Sequence, residues 1–277
     1  MHKPVLLHES INALDLQTGE LFVDATFGGG GHSREVKRRF GNKIHIIGLD
    51  RDPHVAEKNS EFEVKTDSFK NLDKVLGMLR PDAILFDLGI SLDQLEETGR
   101  GFSFLRDEPL DMRMSREGIT AAEILNSWSE RALELILRGF GEERNSRKIA
   151  HAIVERRRVK PFATTFDLVE VVGKRRGKTH PATKTFQALR IATNEELTAL
   201  EVGLKKAFES LRPGGRLVVI SFHSLEDRVV KNFFRESIEE KIAKQITKKP
   251  IMPSEEEIGR NPRSRSAKLR VVEKLIS

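Results

Sequence analysis

The chain has 277 residues, no cysteine, and eight scattered histidines without an HExxH or similar ligand pair, which excludes disulfides and thiolate metal sites and leaves no metal centre expected. No apolar run approaches the ~20 residues of a membrane span, and the opening MHKPVLLHES lacks the long apolar stretch of a signal peptide, so a cytoplasmic protein is expected. The formal charge of +6 is segregated: Arg144 to Arg190 holds 13 Lys or Arg against three acids, residues 241–277 hold ten against four, and the remainder sums to −10.

Two basic blocks of this kind favour a phosphate backbone as partner, because neutralised phosphates release counterions. Along the chain, ELFVDA, KIHIIGLD, FEVKT and DAILFDLG are short apolar or β-branched runs, separated by helix-like stretches near 33–40, 53–59 and 69–79. This alternation predicts a parallel α/β sheet. After about residue 104 the strand signals stop. TAAE (Thr120 to Glu123) and SWSE (Ser127 to Glu130) read as capping boxes, and GEERNSRKIAHAIVERRR continues the helical pattern. A long amphipathic helix is predicted from about Thr185 to Leu211, ended by RPGG ahead of the strand GRLVVISF. Two last strands, near QITKKPI and SAKLRVVEKL, complete the sheet at its edge. The expected organisation is a discontinuous α/β domain, 1–104 and 184–277, with an all-helical insertion at 105–183.

VDATFGGGGHS places Gly28 to Gly31 in the first strand-to-helix turn, where a doubly wound fold brings backbone close to its ligand. Asp50, about 20 residues on and closing the second strand, suits a ribose hydroxyl pair. Gly28 and Gly30 fit the dinucleotide pattern GxGxxG, but Ser33 holds its third place. Asp24 is awkward beside a diphosphate and suits a ligand bearing an ammonium and a sulfonium. S-adenosyl-L-methionine is therefore the expected cofactor. Asp87 follows four apolar residues at the carboxyl end of the fourth strand, a position better explained by a ligand cleft than by packing.

HKPVLLHES, DATFGGGGHS, FDLGISLDQL, GRGFSF, PLDMRM, GEERNSRKIA, HPATKTFQALRIATNEEL, PGGRLVVISFHSLEDRVVK and NPRSRSAKLRVVEK, in order from His2 to Lys274, together resemble the RsmH family, also called MraW. The resemblance implies a Rossmann-like class I methyltransferase fold with an inserted helical domain for RNA recognition. It also implies N4-methylation of a decoding-centre cytidine in 16S rRNA of the small ribosomal subunit. On the matching motifs it implies cofactor contacts at Gly30, Gly31, His32, Asp50, Phe69, Asp87 and Gln94. Asp87, or a carbonyl of the following turn, is the candidate to accept the amino hydrogens of the base. DLGIS stands where many amino-methyltransferases carry a Pro-Pro-aromatic turn, leaving Phe102, Phe104 and Phe222 as candidates for stacking on the base. His223 divides between function and packing, whereas Ser224 and Asp227 read as a helix cap. Lys184, Arg190 and Asn194 divide between RNA contact and helix surface, and Trp128 is assigned to packing. The alternatives are a methyltransferase of similar fold acting on DNA or a small molecule, or an RNA-binding ribosome-assembly factor. Oligomeric state leaves no mark in the sequence.

Overall fold

A computed structural model describes residues 4–89, 99–115, 117–173 and 180–275. The chain forms two compact units, Met1–Ser91 with Leu197–Ser277, and Leu92–Glu196.

The first unit opens with α1 (Leu7–Leu14). It alternates β1 (Leu21–Asp24), α2 (Gly31–Phe40), β2 (His45–Asp50), α3 (Pro53–Lys58), β3 (Glu63–Thr66), α4 (Leu72–Leu76) and β4 (Ala83–Asp87). Strand order is β3-β2-β1-β4, continued by β5 (Arg216–Ser221), β7 (Lys268–Lys274) and β6 (Ala243–Gln245). The first five strands pair in parallel, and β7 runs antiparallel to β5. Strand periodicity sorts the core. Val23, Ile84, Phe86, Leu217 and Val219 pack on one face beneath Leu204, Phe208 and Phe234. Their neighbours Phe22, Leu85, Val218 and Ile220 pack on the other face with Ile11, Leu14 and Val36. Each such side chain contributes about 1.5–3 kcal/mol of burial. The chain reverses direction of travel across the sheet between β1 and β4, which sets the ligand crevice at the carboxyl ends of those strands.

The second unit carries α5 (Ala121–Ser127), α6 (Glu130–Gly139), α7 (Ser146–Val159), α8 (Thr165–Val172) and α9 (Ala182–Asn194). Its boundaries lie outside those expected from the sequence, at 91/92 and 196/197 in place of 104/105 and 183/184. Two physical reasons account for this. The segment after Gly99 is stitched within the helical unit, Met112 N–H donating to Arg100 and Thr165 N–H to Glu108. The expected long helix is also broken: Glu195 adopts φ +48°, ending α9 before α10 (Glu196–Ser210) begins.

Capping corrects two other expectations. Thr120 and Glu123 form their box, but α6 is capped by Ser129, while Ser127 ends α5 with its hydroxyl donating to Glu123 O. At α11 (Ser224–Glu239) the cap is His223 with Glu226, one residue before the expected Ser224 and Asp227. Asp227 instead accepts from Lys268 Nζ at 2.9 Å and Arg270 Nε at 2.8 Å, tying α11 to β7. The last helix of the chain, α12 (Glu255–Arg260), is capped by Ser254.

Candidate active site

Three adjacent strands, β2, β1 and β4, each end in aspartate: Asp50, Asp24 and Asp87. After β1 the chain still pairs on both sides, Ala25 N–H with Leu85 O and Phe27 N–H with Leu49 O, before it turns. Gly28 and Gly30 take φ +51° and +69°, values that glycine adopts without steric cost. Gly28 N–H donates to Asp50 Oδ2 at 2.8 Å, and Asp52 N–H to Oδ1 at 2.9 Å. Burial pushes the Asp50 acid above its ordinary value against these amide bonds.

The bareness of the turn has an internal cause as well. A Cβ on Gly30 would lie 2.7 Å from the Phe27 ring, and one on Gly31 2.9 Å from Pro4. Gly30 O then accepts Arg34 N–H and starts α2, which brings His32 and Ser33 into its first turn. Ser33, the residue that breaks the dinucleotide pattern, donates its hydroxyl to Asp24 Oδ2 at 2.7 Å. Asp24 Oδ1 is buried without a partner, and burial raises the acid to about 6, against the hydrogen bonds from Ser33 and the Thr26 amide.

Asp87 is held by its backbone, its N–H donating to Thr26 Oγ1 at 2.6 Å. Its Oδ1 is buried without a hydrogen bond, and Oδ2 lies 3.6 Å from His32 Nδ1. His32 Nε2 is 3.2 Å from Val5 O, so Nε2 carries the proton and Nδ1 is the ring nitrogen turned to Asp87. Burial, with like charge from Asp24 and Glu226, pushes Asp87 well above the carboxylate range. Buried Glu226 accepts Phe222 N–H at 2.8 Å and is fixed by the cap of α11. His223 Nε2 comes within 3.1 Å of Glu226 Oε1 but is not aligned to hydrogen-bond it, so His223 is chiefly a cap.

The other sequence candidates separate. Phe69 sits in a helical turn before α4, its ring edge-on to Phe86 at 5.4 Å, beneath the Arg51 guanidinium and tight against Gly203. Gln94 lies outside the described residues. Phe222 packs beside Gly89, just past Asp87. Phe102 and Phe104 belong to the helical unit, where Phe104 stacks on His180 at 4.6 Å. Lys184 Nζ donates to Glu142 O, Arg190 grips Glu196 with two bonds of 2.8 Å, and Asn194 bonds the backbone of Met112 and Met114. Trp128 ends α5, its carbonyl accepting from Arg157. Thr26, Ser33 and Glu226 were not singled out from the sequence as site residues. The displaced third glycine was the available signal for Ser33.

Residues 1–275 match the MraW methylase family. The chain belongs to that family. Proteins named Ribosomal RNA small subunit methyltransferase H are similar to it along their whole length. The one from Dictyoglomus thermophilum is 48% identical, covering 99% of this chain and 97% of the relative. Those from Carboxydothermus hydrogenoformans and Neorickettsia sennetsu are each 47% identical, covering 99% of this chain and 98% and 96% of the relatives. The fold is accordingly the class I methyltransferase fold, and the cofactor is S-adenosyl-L-methionine. The residues present fit that donor: two buried carboxylate oxygens lack partners where a doubly cationic ligand would supply them, and Asp50 at the end of β2 is tied to the same glycine turn through the Gly28 amide.

Proposed function

We propose that this methyltransferase modifies the N4 amino group of a decoding-centre cytidine in 16S rRNA of the small ribosomal subunit. The names of relatives at 47–48% identity support rRNA as the substrate class. The observation that carries the chemistry is Asp87, a half-buried carboxylate at the end of β4 whose buried Oδ1 is free of protein partners.

When bound, S-adenosyl-L-methionine supplies an electrophilic methyl group on sulfur. In the proposed arrangement the turn Gly30, Gly31 and His32 holds the amino-acid end, Asp50 takes the ribose hydroxyls, and Phe69 lies on the adenine side. Gln94 is included on the family resemblance alone. A cytosine amino group is a weak nucleophile because its lone pair is delocalised into the ring, so position does most of the catalysis. Asp87 accepts an amino hydrogen, orienting the nitrogen and stabilising the positive charge that develops there. Once methylated, that nitrogen is acidic enough to lose a proton without a dedicated strong base. Phe222, beside Gly89, is the aromatic best placed within the α/β unit to support a flipped base. The helical insertion, expected at 105–183, is proposed to recognise RNA. An rRNA substrate places the enzyme in the cytoplasm with the ribosome.

The test is methyl transfer from labelled donor to small subunits lacking the modification, with naked 16S rRNA alongside, followed by nucleoside mass spectrometry. N4-methylcytidine on the subunits is the expected product. Confirmed donor binding without transfer would refute the assigned acceptor.

A further inference from the structure

Asp24 and Asp87 end neighbouring parallel strands, and each keeps its Oδ1 buried without a hydrogen bond. The groups facing the pair are Ser33 and His32 from α2, Asp50 from β2 and Glu226 from α11. Among the described residues no lysine or arginine pairs with either aspartate, and His32, whose Nε2 donates to Val5 O, turns Nδ1 to Asp87 Oδ2 at 3.6 Å, beyond hydrogen-bond distance. Several carboxylates crowded into one largely buried site cannot all ionise without a counter-charge.

We propose that the Asp24–Asp87 pair holds a proton while the site is empty and releases it to solvent when the cationic methyl donor binds, so that the pair distinguishes S-adenosyl-L-methionine by charge from the demethylated product. The proton balance closes over the cycle. One proton leaves on donor binding, one is liberated from the amino nitrogen during transfer, and the pair regains one as the positive charge at sulfur disappears. Asp87 is thereby an ionised hydrogen-bond acceptor when the donor is present, and the product leaves a site that has recovered its proton. The proton release on binding rests on the methyl donor and is independent of the acceptor's identity, while the proton liberated during transfer rests on the amino acceptor proposed above.

The test is titration calorimetry of the full chain with S-adenosyl-L-methionine and with S-adenosyl-L-homocysteine, at pH 7 in buffers of different ionisation heat, and between pH 5.5 and 8. The donor is expected to release on the order of one proton, and its affinity to fall by up to ~10-fold per pH unit in acid. The product is expected to release distinctly fewer, so the preference for donor narrows as pH falls. Asp24→Asn and Asp87→Asn should each reduce the donor's proton release, with melting curves reporting their folding. Equal release for donor and product, or none for the donor, would overturn the proposal even if either variant failed to fold, because the comparison is made on the unaltered chain.

Discussion

Asp87, at the end of β4, and Asp167, in the first turn of α8, are the same side chain in two units with opposite surroundings. Asp167 accepts from Arg156 at 2.7 Å, Lys160 at 3.2 Å, and the amides of Ala163 and Thr164 at 3.0 Å. Burial works against its ionisation, yet the two amides and Lys160 overcome that and hold the acid down at about 2. Asp87 has no such set, and burial drives it the other way. A buried acid with every oxygen answered holds a fold together. One left unanswered at the edge of a sheet is available to a ligand.

The sharpest break of this contrast is to neutralise each acid. Asp87→Asn should lower methyl transfer by on the order of 10²- to 10⁴-fold without lowering the melting temperature, because an unpaired buried carboxylate stabilises nothing. Asp167→Ala should deprive Arg156 of its carboxylate and leave the Ala163 and Thr164 amides unsatisfied, destabilising the chain by about 2–4 kcal/mol, measured by denaturant unfolding. Loss of stability in the first, or none in the second, would reverse the assignment of roles.

Acid titration separates the two classes again. Asp167 has a folded value of about 2 against an ordinary 3.8, so its contribution is present above about pH 4 and is lost as pH falls toward 2. Glu35, held at about 2 by Arg38 and Arg39 against burial, behaves likewise. Asp24 has the opposite sign: its folded value of about 6 lies above 3.8, so the folded state binds the extra proton and loses stability as pH rises from about 4 to 6. Stability profiles of Asp24→Asn against the unaltered chain should therefore diverge across that window, the variant gaining relative stability with rising pH.

The α/β half was legible because strand periodicity and the glycine turn are local signals, and the five parallel strands fall where the apolar runs place them. The aspartates at strand ends were legible for the same reason. What escaped depends on tertiary contact. The break at Glu195 has no glycine or proline to announce it, and α9 joins the helical unit through Phe186 against Phe104. The cap of α11 moved by one residue because His Nδ1 can accept from an amide as a serine hydroxyl does. Gly30 and Gly31 were read as room for a ligand, whereas Phe27 and Pro4 already require them.

That last point yields a smaller test. The Phe27 ring is boxed between Gly30, Gly48 and Phe62, so it cannot retreat from a methyl group. Gly30→Ala should cost about 2–3 kcal/mol and weaken donor binding, combining the left-handed backbone penalty with overpacking. Gly41→Ala shares a positive φ of +62° but meets nothing within 4 Å. At ψ −136° its backbone lies outside the left-handed α region, so it should cost about 1–3 kcal/mol, and it should leave donor affinity unchanged in the same calorimetric assay.

The smallest effect concerns the basic run Arg156 to Arg158, which the sequence presents as one feature and the fold divides. Arg156 is bound to Asp167 and lies over the Phe162 ring, and Arg157 donates to the carbonyls of Leu125 and Trp128 at 2.7 Å. Arg158 is 68% exposed, with only an exposed partner in Glu155. If the helical unit binds a phosphate backbone, Arg158→Ala should lower the slope of log affinity against log salt by about 0.7–1 and leave the melting temperature unchanged. Arg156→Ala should instead lower the melting temperature, because it removes a half-buried partner of Asp167. A salt slope unchanged in Arg158→Ala would make that side chain a solvated surface charge, and would move any RNA contact to other exposed cations of this unit, such as Arg138, Arg144, Arg147 and Lys148.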